Sequence, residues 1–442
     1  TMARRLQLGD PEGHLRRALE HFPIREMANR IIAEYYIPGG KSPSARFKSV
    51  AMPTLLCGAA FVTLTVAANF VEVYLAKEGH QGLVGINYLQ KIQLPTLPSL
   101  YGAMLANVDF VLMGAGIPRA IPGVMDTLSQ GGAVELHMDV EGALPTDHFV
   151  TTFDPSEFWG GSAPQVNRPK FLAIVASSTL AMALAKKSTG RVDGFIIEGE
   201  TAGGHNAPPR GPMQLSEKGE PVYGARDVPD LEKFREIGLP FWLAGSYGQS
   251  LKLKEALEQG ASGVQAGTAF AFCEESGILP ELKKQVIQMS RQGTTDVFTD
   301  PVASPTGFPF KVLQVPGTLS EESVFKARKR LCDLAYLRHI YRQADGTEGY
   351  RCPSEPEADY LRKGGSIEDT IGRKCVCNGL TGVMGLGQVL SAKGSDVECE
   401  LPLVTVGNDV SQVAQFISPG KDSYTAADVV RSLLSDLPAR PT

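Results

Sequence analysis

The sequence predicts an α/β fold organised as a (β/α)8 barrel, on the strength of eight short apolar runs, helix-length segments between them, and a combined span of about 230 residues. The runs are residues 48–53, 82–87, 108–113, 134–138, 171–176, 194–198, 241–244 and 263–266. Most are β-branched or wholly apolar, as strands covered on both faces must be. Segments such as 178–188 and 250–259 have helix length and alternate with the runs, which is the pattern of a parallel sheet. Eight such units are expected to close into a TIM barrel over residues 46–275. A doubly wound open sheet is the alternative, because periodicity does not establish closure.

Residues 1–45 read as an N-terminal helical extension, with helix expected over 12–36. Residues 276–442 read as a C-terminal accessory helical and lid region. Its parts are a helix at 279–291, a Pro-rich stretch at 300–315, a charged helix at 321–342, a polar, loop-rich segment to about 374, and a Gly-rich 379–387.

Bulk properties narrow the class of function. A net charge of −5 leaves no basic footprint, so no nucleic acid partner is expected. Seven cysteines are too sparse for a disulfide scaffold and suit a reducing compartment, hence a cytoplasmic location. The polar stretch 1–11 does not read as a secretory signal. Residues 54–71 carry no charge, but they are rich in Thr, Ala and Gly, contain Asn69 and run into Glu72. They read as a strand end followed by a packed helix, so no membrane partner is expected.

Three motifs carry the chemistry. Ala244-Gly245-Ser246-Tyr247-Gly248 and Gln265-Ala266-Gly267-Thr268 follow the seventh and eighth runs, where barrels commonly bind phosphate. Glycines there let backbone N–H groups approach phosphate oxygens, and Ser246 and Thr268 add hydroxyl donors. Glu198-Gly199-Glu200-Thr201-Ala202-Gly203-Gly204-His205 follows the sixth run, at the face where barrel active sites lie. Its Gly-Gly pair permits a sharp turn, and His205 beyond it is a candidate general base. Gly85-Ile86-Asn87 closes the second run, and Asn87 offers a donor and an acceptor. Cys375-Val376-Cys377, with Cys352 and Cys399, lacks the spacing of a zinc site, so no metal is expected.

Together these motifs resemble the nitronate monooxygenase family, also called 2-nitropropane dioxygenase-like, to which the flavin-dependent enoyl-acyl carrier protein reductases are related. The resemblance covers about residues 46–275. It implies a TIM barrel, non-covalent FMN and a catalytic histidine at His205. It implies flavin contacts at Met52, Asn87, Glu198, Gly203, Gly204, Gly245, Ser246, Gln265, Ala266, Gly267 and Thr268. Three departures stand out. Met52 precedes Pro53 where relatives have Pro-Met, Glu198 replaces a common Gln, and the loop after His205 is longer.

The activity so implied is that of a cytoplasmic FMN-dependent oxidoreductase. It would oxidise a small nitronate, nitroalkane or similar carbanion-like substrate with O2. The alternatives are an NAD(P)H-dependent enoyl-thioester reductase and a flavin-binding protein without turnover. The sequence leaves the oligomeric state open, a homodimer being one form.

Overall fold

The computed structural model describes residues 1–393 and 396–437. In chain order the first nine strands are β1 (Gly85–Leu89), β2 (Phe110–Gly114), β3 (Val134–His137), β4 (Val140–Glu141), β5 (Val150–Phe153), β6 (Lys170–Val175), β7 (Gly194–Glu198), β8 (Phe241–Ala244) and β9 (Gly263–Gln265). Six of them form one all-parallel sheet in the order β1-β2-β6-β7-β8-β9. The spatial order follows the chain order without reversal. That is barrel-like winding, and it removes the doubly wound alternative, whose strand order must turn back at a switch point.

The sheet is half a barrel, however, and the expected eight-stranded closure is corrected in two places. Residues 48–53 form no strand. The expected fourth strand leaves the sheet, β2 pairing directly with β6 while β3 pairs antiparallel with β5. The reason lies in side-chain alternation. Val134 and Leu136 are buried while Glu135 and His137 are exposed. Such a period-two strand suits a ribbon with one wet face, whereas a barrel strand needs cover on both.

Five helices precede or follow β1: α1 (Met2–Gln7), α2 (His14–Glu20), α3 (Arg25–Tyr35), α4 (Ala59–Lys77) and α5 (Thr96–Leu105). The first three form the helical extension and enter the main core, where Leu6, Leu15 and Phe22 join Val66 and Phe70 of α4 and Phe171 and Phe195 of the sheet. The uncharged run contributes to α4, which is long and apolar enough to cross a membrane. In this fold α4 packs on α5 so closely that a Cβ at Gly102 would lie 2.2 Å from the Val66 carbonyl. Glycine is required there because the two backbones touch.

The region after residue 275 is mixed, with strands where helices and loops were expected. It contains the ribbon β10 (Val297–Asp300) with β11 (Phe310–Leu313), the hairpin β12 (His339–Arg342) with β13 (Glu348–Arg351), and β14 (Val389–Lys393) with β15 (Asp396–Cys399). β12 also pairs with β4, so this region is stitched to the loops of the sheet. The charged helix expected over 321–342 shrinks to Glu322–Ala327. It stops because Arg328 turns to extended backbone and buries its guanidinium against Glu400, with Nε and Nη2 at 2.5 and 2.9 Å from the two carboxylate oxygens. Neither side chain is more than 3% exposed.

A buried bidentate pair of this kind is costly to break from one side, since the orphaned charge keeps its desolvation penalty. Glu400→Ala is expected to destabilise the fold by about 3–5 kcal/mol, read by urea denaturation; a loss below about 1 kcal/mol would show that solvent reaches the guanidinium.

Candidate functional site

The parallel register places the C-terminal ends of three strands in one row. Glu198 pairs with Ala244, and Ala244 with Gln265. All three therefore share a face of the sheet, the same face that carries Leu172, Ile196 and Trp242. Two adjoining cavities open above this row. The smaller, about 350 Å³, is lined by Gly203, Gly204, Gly245, Ser246, Gln265, Ala266, Gly267, Thr268 and, from the accessory region, Thr405, Gly407 and Asp409. The larger, about 830 Å³, is lined by His205, Arg210, Tyr223, Asp227 and Phe308 among others. Glu198, Ala244, Gly245 and Tyr247 line both.

The smaller cavity is a cradle shaped by backbone. Gly245 has φ +100°, and Ser246 has φ +57°, a left-handed conformation that costs a non-glycine residue energy. The position of Cβ at Gly267 is open, with no atom within 4 Å. Ser246 Oγ and Gln265 Oε1 are buried without a protein partner. Buried polar atoms ordinarily find one, so these two fit a ligand that brings hydrogen-bonding groups of its own. An anionic ester fits the Gly245–Ser246 and Gly267 side of the cradle. The cradle is narrowed by Asp409, whose carboxylate would lie 3.1 Å from a Cβ at Gly248. Burial raises the Asp409 pKa, which weakens its repulsion of an anion. Thr268 is already engaged, its Oγ1 accepting from the Gly407 N–H at 2.9 Å.

Above the other cavity, the loop after β7 is held from the accessory side. Gly204 N–H donates to Thr405 Oγ1 at 2.9 Å, Lys311 N–H to the Gly204 carbonyl at 2.9 Å, and Asn206 N–H to the Pro309 carbonyl at 2.9 Å. His205 is thereby packed against the Phe310 ring, with centroids 4.7 Å apart, and its Nε2 lies 2.7 Å from Ser304 Oγ. Ser304 Oγ is also 2.9 Å from Thr306 Oγ1. When Ser304 donates to Thr306, it accepts from the imidazole Nε2–H, leaving the lone pair on Nδ1. Burial lowers the His205 pKa to about 4, so the ring is neutral at pH 7.

Glu198 shifts the other way. Burial pushes its carboxyl up to about 8, so at pH 7 it is mostly a neutral acid. A protonated carboxyl donates and accepts hydrogen bonds as a glutamine amide does, which reconciles Glu198 with the Gln common in the resembling family.

Two sequence candidates lie apart. Asn87 sits on the inner face of β1, level with Leu112, but it is exposed because the sheet does not close over it. Met52 is 43% exposed on an irregular segment. Neither lines either cavity. Conversely, sequence reading missed Ser304, Thr405 and Asp409. They lie outside the barrel motifs, and the only signal near them was the Pro-rich stretch around Ser304.

Residues 164–305 match the family model described as Nitronate monooxygenase. The segment holds β6 to β9, Glu198, His205 and the Gly-rich turns, and it ends just past Ser304. A probable nitronate monooxygenase of Bacillus subtilis (strain 168) is 33% identical over 122 residues, which is 27% of this chain and 33% of the relative. One from Staphylococcus haemolyticus (strain JCSC1435) is 30% identical over 139 residues, 30% of this chain and 37% of the relative. The aligned stretch thus spans about a third of these curated relatives. Among solved structures, FabK from Thermotoga maritima gives a TM-score of 0.44 at 16% identity, over 84% of this chain and 80% of its own. A nitroalkane oxidase from Streptomyces ansochromogenes gives 0.31 at 18% identity, over 60% of each chain. Likeness of that degree says nothing about activity.

The two shifted groups make opposite contributions to stability. Glu198 binds its proton more tightly folded than unfolded, so stability falls as pH rises from its ordinary 4.5 to about 8. His205 is harder to protonate folded, so its contribution falls as pH drops from 6.5 to about 4. Between pH 6.5 and 8 only the Glu198 term acts. Glu198→Gln should therefore flatten the loss of melting temperature across pH 6.5–8 relative to wild type; parallel curves for the two proteins would show that Glu198 is ionised throughout.

Proposed function

We propose that the chain is an FMN-dependent oxidoreductase of nitronate monooxygenase type, acting on a small nitronate or similar carbanion-like substrate with O2 as electron acceptor. The observation that carries this reading is the joining of the two cavities at Glu198, Gly245 and Tyr247, with His205 over the larger one. A phosphate ester in the cradle would leave its ring system beside Glu198 and under His205. Gly245, Ser246 and Gly267 would hold the phosphate, and Gln265 and the neutral Glu198 would hydrogen-bond the ring. Bound there, FMN supplies two-electron redox chemistry. Residues 46–275 then carry the cofactor, and the region after 275 closes over it.

The protein's own part is proton control and exclusion of water. His205 is a weak base, because its neutral ring is desolvated and its conjugate acid unfavourable. It suits a substrate that arrives already deprotonated and needs hydrogen bonding more than proton abstraction. That favours a nitronate over its parent nitroalkane. The cavity of about 830 Å³ is large for a substrate of a few carbons, and this volume favours, as a second reading, an enoyl thioester reduced by NAD(P)H. Anaerobic mixing of the purified protein with a nitronate, NADH or NADPH separates the two. Flavin bleaching by the nitronate alone supports the first reading, and bleaching by a nicotinamide alone supports the second.

Two substitutions test the cradle. Gly267→Asp places a carboxylate in open space and should weaken FMN binding at least about tenfold while circular dichroism stays that of wild type. Asp409→Asn removes the opposing charge and should tighten binding. Titration of the apoprotein with FMN reads both, and mass spectrometry of the released flavin should give FMN; FAD, or affinities unmoved by either change, would misplace the phosphate.

The weak base generates a further expectation. At pH 7, wild-type flavin should be reduced by a nitronate more than about tenfold faster than by its neutral nitroalkane, since proton abstraction costs a base of low pKa. His205→Ala should retain FMN and lose roughly 100- to 10,000-fold in reduction rate by stopped flow. Equal rates for the two substrates, or a wild-type rate in the variant, would reduce His205 to a packing residue.

A further inference from the structure

Four of the seven cysteines meet in one place outside the site described. Cys332, Cys352, Cys375 and Cys377 line a single small pocket of the accessory region, although up to 22 residues separate one from the next. Cys57, Cys273 and Cys399 do not line it, and none of the seven is in a disulfide. Cys399, which the sequence groups with the pair at 375 and 377, is exposed, and Cys332 takes its place.

The wall around the thiols is unusual for an apolar core. Arg338 lines the same pocket, and its Nε is buried without a partner, as is Asn378 Oδ1. Glu355, also in the wall, is neutralised by Lys363 at 2.7 Å and leaves its second oxygen unpartnered. Backbone N–H groups of Leu337, Ser354 and Asn378 face the sulfurs of Cys377, Cys352 and Cys375. A buried guanidinium N–H and three backbone N–H groups turned toward sulfur are what negatively charged sulfur requires when removed from water. Neutral thiols, being weak acceptors, leave such donors largely unsatisfied.

We propose that Cys332, Cys352, Cys375 and Cys377 ligate an iron–sulfur cluster. Among the described residues no three His, Cys, Asp or Glu side chains are grouped to hold one metal ion. A tetrahedral zinc site draws four sulfurs to about 2.3 Å from one centre. A cluster accepts a wider set, because the thiolates bond to different irons. On loading by exchange from a preassembled cluster on a thiolate carrier, four iron–thiolate bonds to this chain form as the four bonds to the carrier break, and the four thiol protons pass to the departing carrier thiolates with no change of iron oxidation state. Pro305 lines the pocket, and its neighbour Ser304 holds His205, so the centre braces the residue that orients the imidazole. The proposal does not depend on which substrate the neighbouring cavity takes.

The test is made on the full chain purified without oxygen. Iron is read by plasma mass spectrometry, acid-labile sulfide by colorimetry, and the centre by electron paramagnetic resonance after dithionite reduction, since flavin obscures the visible spectrum. Iron and sulfide are expected in equal amounts. Both should be lost in Cys352→Ser and retained in Cys399→Ser. Should Cys352→Ser fail to fold, wild-type protein stripped by chelation and rebuilt with ferrous and ferric iron and sulfide gives the same answer through Mössbauer spectra. Zinc without sulfide, disulfides among the four cysteines by peptide mapping, or no iron uptake on reconstitution would each overturn the cluster.

Discussion

Three backbone hydrogen bonds hold the loop Gly203–Asn206 against β11 and residue 405, and the site follows from them. A loop that leaves a strand end normally lies in water, where its polar backbone is solvated. Here three of its backbone polar groups are met by Thr405, Lys311 and Pro309, so the loop can pack against the accessory region with those groups satisfied. Burial then lowers the basicity of His205, and Ser304 holds its Nε2. The chemistry of the imidazole is therefore decided by residues up to 200 positions away.

The same desolvation removes two charges from the site. A carboxyl at Glu198 holds its proton and an imidazole at His205 sheds its own, so two ionisable groups are both neutral at pH 7. Neutral groups in a low-dielectric pocket orient a ligand through hydrogen bonds and leave the charge to the ligand. Asp409 is a carboxylate set beside turns that otherwise invite an anion. Its place in the wall of the cradle ties that cavity to the accessory region.

The accessory region is more than a cover. Its apolar cluster includes Ala269 and Phe272 from the end of the last βα unit together with Val406, Val413 and Tyr424. On the opposite side, β12 extends β4, a strand from the loops of the sheet. The half-barrel and the accessory region thus share core and hydrogen bonds. The open edge of the sheet is tolerable because these segments and the N-terminal helices supply cover that the two missing strands would have given.

Sequence periodicity determined the six parallel strands in their order, the Gly-rich turns after β8 and β9, and the placing of His205 on the loop after β7. These are local properties. An apolar run buried on both faces and a glycine after it carry their meaning within a few residues. Tertiary structure alone decided the rest. It excluded residues 48–53 and β3 from the sheet, because pairing depends on which faces find cover, and that is settled by distant segments. It exposed Asn87 and Met52, brought Ser304 to His205 and Asp409 to the cradle, and gathered four thiols that have no common spacing. Contacts between residues far apart leave no periodic trace in a single chain, because packing is set by volume and shape in three dimensions.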